Sequence, residues 1–318
     1  MNLVFKRLGL KMNYCELRDY IEILNNVISE IERPIINEEL FPNMFIYGVP
    51  RSGTTLLSQI LIYCLDVGYI NNLIARFYKA PFLGAILSEE LKIPKEISFK
   101  SSFGRTPLIS DPHEFGYFWS EMLGLKHNNT HNISVSDFAI SRSKLEKMKK
   151  ELLSLNYVIK KPYIFKNILT GLFIKEISSI LKKSVFIYIE RDPFNNAVSL
   201  LLARERLYQN KNKWFSLKPK EWKELKDKSP EEQVAGQVFY LRKEFEDKMK
   251  NMENVIKLKY ESLCKSPTEE VEKVLSFVFE LTGYRIKLIN QVKPFVCKKF
   301  NPEDFPAVKQ AIDKYFSE

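Results

Sequence analysis

A chain of 318 residues, 45% of them hydrophobic, is long enough for one large α/β domain with insertions and apolar enough to fill its core. Its 49 Lys and Arg against 39 Asp and Glu give a net charge of +10, which favours anionic ligands without choosing among nucleotides, acidic glycans, nucleic acid or a membrane surface. Three histidines, and four cysteines (Cys15, Cys64, Cys264, Cys297) with no CxxC pair, argue against a metal site.

The opening MNLVFKRLGLK is too short and interrupted an apolar stretch for a secretory signal, and no run of about 18 apolar residues follows. A soluble cytoplasmic protein with reduced thiols and no transmembrane segment is therefore expected. From residue 13 to residue 32, Leu17, Tyr20, Ile21, Leu24, Val27, Ile28 and Ile31 recur at helical spacing, predicting a packing helix that Pro34 ends. Asn43 to Val49 reads as a buried strand, PRSGTT as a tight loop and LLSQILIYCL as a buried helix. A helix is expected near 143–155, a strand at Tyr163 to Lys166, a helix over 169–181 and a third strand at 185–190. RDPFNNAVSLLLARERL reads as a loop turning into a helix, and VIKLKY, ending at Tyr260, as a fourth strand. Between them, residues 208–229 are lysine-rich and irregular, a segment read as mobile and able to fold over a ligand, and Ser229-Pro230-Glu231-Glu232 is a helix start. Strands alternating with helices predict an α/β class: a P-loop-type parallel sheet flanked by helices, with helical insertions, in a single domain over 1–318.

Two turns carry chemistry. Gly48 to Thr55 (GVPRSGTT) lies between a strand and a helix, where backbone N–H groups and the helix dipole favour a phosphate. Its glycines have the GxxxxGK[ST] spacing, but Thr54 stands where that pattern has lysine and the cation is Arg51 inside the loop, a poor fit to γ-phosphate transfer from ATP. The second turn, Arg191 to Ser199 (RDPFNNAVS), follows a later strand, where α/β sheets bind ligands, and offers an arginine fork and a serine hydroxyl.

Together these turns, with VIKLKYESL at 255–263, resemble the PAPS-dependent sulfotransferases, closest to the bacterial and protein-tyrosine branch that shares GxPRSGTT. The resemblance covers about residues 44–279. It implies a single α/β domain, the donor 3′-phosphoadenosine 5′-phosphosulfate (PAPS), the product adenosine 3′,5′-bisphosphate and a metal-free transfer. It assigns Arg51, Ser52, Gly53, Thr54 and Thr55 to the 5′-phosphosulfate, Arg191 and Ser199 to the 3′-phosphate, and Tyr260 to the nucleotide's surroundings.

In-line sulfuryl transfer needs cations at the leaving oxygen and a base at the acceptor hydroxyl. Arg51 fits the first role, as does Lys166, which resembles the family's K-x-P lysine although Ile168 replaces the proline. The protein-tyrosine branch carries a glutamate after the first helix, but Gly68 to Asn72 holds no acid, so the base is sought in SDPHEFGYFW at 110–119, as Glu114 or His113. The plain alternative there is a helix starting at Asp111 and Pro112. Arg105 is a candidate for an anionic acceptor or the sulfuryl group, while Lys293, Lys298 and Lys299 read as a solvated basic face. The acceptor stays open among a glycan, a lipid-linked sugar, a small alcohol and tyrosine. A P-loop kinase and a non-catalytic anion-binding relative are the rival readings, and no nucleic-acid partner is expected because no recognition motif accompanies the charge.

Overall fold

The computed structural model describes residues 14–31, 36, 38–124 and 140–317. In chain order the first half holds α1 (Tyr14–Ile28), β1 (Asn43–Tyr47), α2 (Thr54–Cys64), β2 (Gly68–Tyr69), α3 (Pro81–Glu90), α4 (Gly116–Met122), α5 (Arg142–Ile159) and β3 (Tyr163–Lys166). The second half holds α6 (Ile174–Ile180), β4 (Ser184–Glu190), α7 (Pro193–Tyr208), α8 (Trp222–Leu225), α9 (Pro230–Met249), β5 (Val255–Lys259), α10 (Tyr260–Lys265), α11 (Pro267–Thr282) and α12 (Pro306–Phe316).

The five strands form one parallel sheet in the order β2-β3-β1-β4-β5. Every residue of β1 is buried, as a central parallel strand covered on both faces must be. Alternation along the strands divides the core. Phe45, Tyr47, Phe165, Phe186 and Tyr188 face one side, where they meet α4, α5, α7 and α9. Met44, Ile46, Ile164, Val185, Ile187 and Ile189 face the other, against α2 and α11. The Phe45 ring stacks on Phe165 at 5.4 Å and on Phe186 at 5.1 Å, with the Trp119 edge at 6.1 Å.

Register decides where the site forms. Ile46 lies opposite Lys166 and Tyr47 opposite Tyr188, so the turns after β1, β3 and β4 open on one edge of the sheet. The helix start expected at Ser229 holds, where it caps α9 by accepting from Glu232 N at 3.2 Å, and Asp192 caps α7 by accepting from Asn195 N at 2.8 Å.

Two segments differ from expectation. The helix expected over 169–181 divides into a 3₁₀ turn, Ile168–Leu172, and α6. The N-terminal helix packs less than its periodicity implies. Tyr20, Ile23 and Val27 are exposed, and the helix docks through Ile28, clustered with Ala80 and Phe82, and through buried Asn25, which donates to Arg76 O at 2.7 Å and accepts from Lys79 N at 2.9 Å. Pro34, read as its stop, lies outside the described residues. Within 208–229, Trp214 and Leu217 are buried. Arg204 of α7 lies over the Trp214 ring at 4.6 Å and donates to Gln233 and Gln237 of α9, and Gln237 in turn donates to Phe215 O and Leu217 O. Among the described residues no helix is long and apolar enough to cross a membrane.

Phe45→Ala empties the centre of the aromatic stack and is expected to cost about 3–5 kcal/mol. Tyr20→Ala, at an exposed site, is expected to stay within about 0.5 kcal/mol of the parent. Chemical denaturation of both variants checks this, and equal midpoints would contradict the packing described.

Candidate active site

The turn between β1 and α2 is built by two glycines. A Cβ at Gly48 would stand 2.4 Å from Ile189 O and 2.6 Å from Ser52 Oγ. At Gly53 it would stand 2.4 Å from the Tyr260 ring, and Gly53 also carries a φ of 105° as the N-cap of α2. Arg51 adopts a left-handed φ of 71°, and Ser52 N closes the turn on Val49 O at 3.0 Å. The first N–H groups of α2 have no intrahelical acceptor, so this end of the helix attracts an anion.

The turn after β4 is bonded directly onto this one. Asn196 donates to Pro50 O at 2.7 Å, and Arg51 Nε donates to Ser199 Oγ at 3.4 Å. Arg191 is nearly buried. Its Nη1 donates to Arg51 O at 3.3 Å and its Nη2 to Lys298 O at 2.5 Å, and its guanidinium lies over the Tyr260 ring at 4.7 Å. Two buried polar atoms here have no partner: Ser52 Oγ and Arg191 Nε. Burial lowers the pKa of the Arg51 guanidinium and neighbouring Arg191 lowers it further, while Glu114 opposes the shift. Burial pushes the Tyr260 phenol up to about 12.

The third component comes from the end of β3. Lys166 is 5% exposed, and its ammonium donates to Thr55 Oγ1 at 2.9 Å and to the Glu114 carboxylate. Burial lowers its pKa and Glu114 restores part of the loss. Next to Ile168, which stands in place of the proline, Asn167 caps the 3₁₀ turn: its side chain accepts from Leu169 N at 2.8 Å and donates to Glu114 O at 2.9 Å.

The segment bearing Glu114 and His113 is not helical, since α4 begins only at Gly116 and not at Asp111. Phe115 takes a left-handed φ of 57°, and its N–H donates to His113 Nδ1 at 2.8 Å. The neutral imidazole therefore carries its proton on Nε2. Burial, with Arg76, Lys166 and Arg105 acting in the same sense and Glu114 against, lowers the His113 pKa to about 4. Buried Asp111 fastens the preceding loop by accepting from Ser98 N, Ser98 Oγ and Leu108 N at 2.7–2.9 Å. Gly104 lies directly on Glu114, where a Cβ would stand 2.8 Å from Oε1.

Arg51, Ser52, Gly53, Thr54, Thr55, Arg191, Ser199 and Tyr260 thus gather around two joined turns, and Lys166, Glu114 and His113 adjoin them through Thr55. Lys298 contributes its backbone carbonyl, and its ammonium lies over the Phe300 ring at 5.3 Å. Sequence reading passed over Asn167 and Asn196. The signal for both was an asparagine shortly past a strand end, where a side chain can bond neighbouring backbone. Among the described residues no three His, Cys, Asp or Glu side chains cluster as metal ligands do.

Residues 42–280 match the model of the Sulfotransferase family. Among solved structures, the sulfotransferase STF9 from Mycobacterium avium aligns at a TM-score of 0.53 and 15% identity, over 94% of this chain and 79% of that one, a likeness of fold. A sulfotransferase from Alicyclobacillus acidocaldarius aligns at 0.41 and 12% identity, over 88% of this chain and 97% of that one. Mouse sulfotransferase SULT7A1 complexed with PAP aligns at 0.34 and 14% identity, over 87% and 67%. No curated protein sequence matches the chain.

His113 is expected to titrate near pH 4 rather than its ordinary 6.5. Because the folded value is the lower one, its contribution to stability is complete above about pH 6.5 and is lost as pH falls towards 4. Imidazole resonances followed by NMR check this, and a midpoint near 6.5 would contradict the packing around the ring.

Proposed function

The chain belongs to the sulfotransferase family, and on that premise we propose that it moves the sulfuryl group of PAPS onto a hydroxyl-bearing acceptor. The observation that carries the reading is the pair of buried, unpartnered polar atoms, Ser52 Oγ and Arg191 Nε, on two turns that Asn196 and Arg51 tie together. Such atoms are costly without a partner, and a ligand bearing a phosphate at each end of its ribose satisfies one on each turn. Arg51, Ser52, Gly53, Thr54 and Thr55 take the 5′-phosphosulfate in this assignment. Arg191 and Ser199 take the 3′-phosphate, with Tyr260 packed between Gly53 and Arg191.

PAPS supplies the sulfuryl group and leaves as adenosine 3′,5′-bisphosphate. The bond from sulfur to the bridging oxygen breaks as the acceptor oxygen bonds to sulfur. Lys166 and Arg51 offset the negative charge that builds on the leaving oxygen. Glu114 takes the acceptor's proton. Lys166 engages only its Oε1, and the side chain is 47% exposed towards an incoming acceptor. His113 is the poorer base, because Nδ1 already accepts from Phe115 N and the ring takes up a second proton only as the pH falls to about 4.

Against the kinase reading, Lys166 donates to Thr55 Oγ1, setting an ammonium at the hydroxyl that a P-loop kinase gives to magnesium. Calorimetric titration tests the assignment. Adenosine 3′,5′-bisphosphate is expected to bind more tightly than AMP, and Arg191→Ala is expected to weaken it by about tenfold or more, the worth of a charge-assisted hydrogen bond. Equal binding of bisphosphate and AMP, or tighter binding of magnesium-ATP, would defeat the reading.

A further inference from the structure

We infer that the acceptor carries an anionic group near its reactive hydroxyl and that Arg105 is the residue that recognises it, an inference that rests on the sulfuryl-transfer reading above.

The neighbourhood of Glu114 is rich in cations and poor in acids. Lys166 bonds its carboxylate, Glu114 offsets part of the shift that burial imposes on Arg51, and Arg76 and Arg105, on two separate segments, both disfavour a charged His113. Arg51 and Lys166 are tied to the β1–α2 turn and belong with the donor. Arg105 is different. It is exposed, and its side chain makes no hydrogen bond or ion pair among the described residues.

Its backbone is nevertheless tightly fixed. Ser102 N donates to Arg105 O at 2.8 Å and Arg105 N to Ser102 O at 3.0 Å, closing a two-residue turn over Phe103 (φ 52°) and Gly104 (φ 86°). Gly104 rests on the Glu114 carboxylate, and the Phe103 ring lies 5.6 Å from the Arg51 guanidinium. The chain leaving the turn is pinned as well. Thr106 Oγ1 donates to Pro112 O at 3.0 Å, and Asn72 Nδ2 donates to Thr106 Oγ1 at 3.1 Å and Leu108 O at 2.6 Å.

The result is an unengaged guanidinium on an ordered support, one residue from the contact with the proposed base. Its planar fork suits a carboxylate, phosphate or sulfate ester. A neutral acceptor leaves that charge to solvent, whereas an acceptor with an anionic substituent beside its hydroxyl pairs with Arg105 while the hydroxyl meets Glu114.

The test measures initial rates with PAPS and matched hydroxyl acceptors that differ in one charge: glucuronate and its methyl ester, and 4-hydroxyphenylacetate and its methyl ester. The full chain, Arg105→Gln and Arg105→Lys are compared, each first titrated with adenosine 3′,5′-bisphosphate. The expected result is a preference of about tenfold in kcat/KM for an anionic member, as a charged hydrogen bond supplies. Arg105→Gln removes that preference through KM, Arg105→Lys restores part of it, and nucleotide affinity is the same in all three. A preference for the esters, transfer to none of the four, or an equal loss on both members in Arg105→Gln overturns the inference. Failure of the unaltered protein to bind the bisphosphate is a distinct outcome, which removes the parent reading and this one with it.

Discussion

A lysine that is only 5% exposed has to have its charge compensated where it stands, and the candidate site is arranged around that requirement at Lys166. The sheet register leaves no choice of location, because Ile46 pairs with Lys166 at the edge where β1 turns into the glycine-rich loop. Compensation comes from Thr55 on one side and Glu114 on the other. Bringing Glu114 to that point takes a non-helical segment ahead of α4 and a left-handed Phe115. That conformation, costly for a bulky residue, is held by His113 Nδ1 accepting from Phe115 N and by Asn167 gripping Glu114 O. One buried charge thus fixes the carboxylate, the tautomer of the adjacent imidazole and the path of the loop that carries both.

The second constraint is the adjacency of β1 and β4. Parallel pairing sets the turns that follow them side by side, and Asn196 and Ser199 of α7 bond straight into the β1–α2 turn. Arg51 and Arg191, two like charges, are held close together there with burial lowering the pKa of Arg51. Charges brought together in this way are stable only beside an anion or at a cost borne by the rest of the fold. A ligand with two phosphate groups relieves that repulsion.

The strands, the central helices and both phosphate-type turns were legible because they rest on local signals: apolar runs of strand length, glycine spacing and capping residues. The 255–259 strand and the Ser229 cap of α9 are of this kind. What stayed hidden depends on partners distant in sequence. β2 is only two residues long and exists because Tyr163 and Ile164 pair with it. Asn25 docks α1 beside Ile28 because Arg76 O and Lys79 N face it. The split of the 169–181 helix follows from Asn167 capping a 3₁₀ turn that ends at Phe173. The choice between Glu114 and His113 could not be read from composition, since it turns on which side chain meets Lys166 and which nitrogen is already occupied.

The measurement that bears most directly on this account is a crystal structure of the chain with adenosine 3′,5′-bisphosphate. The account predicts the 5′-phosphate at the first turn of α2, within reach of Arg51, Thr54, Thr55 and Lys166. It predicts the 3′-phosphate on Arg191 and Ser199, with Ser52 Oγ and Arg191 Nε both newly engaged. A nucleotide bound elsewhere, or one that leaves both of those atoms unpartnered, would contradict it.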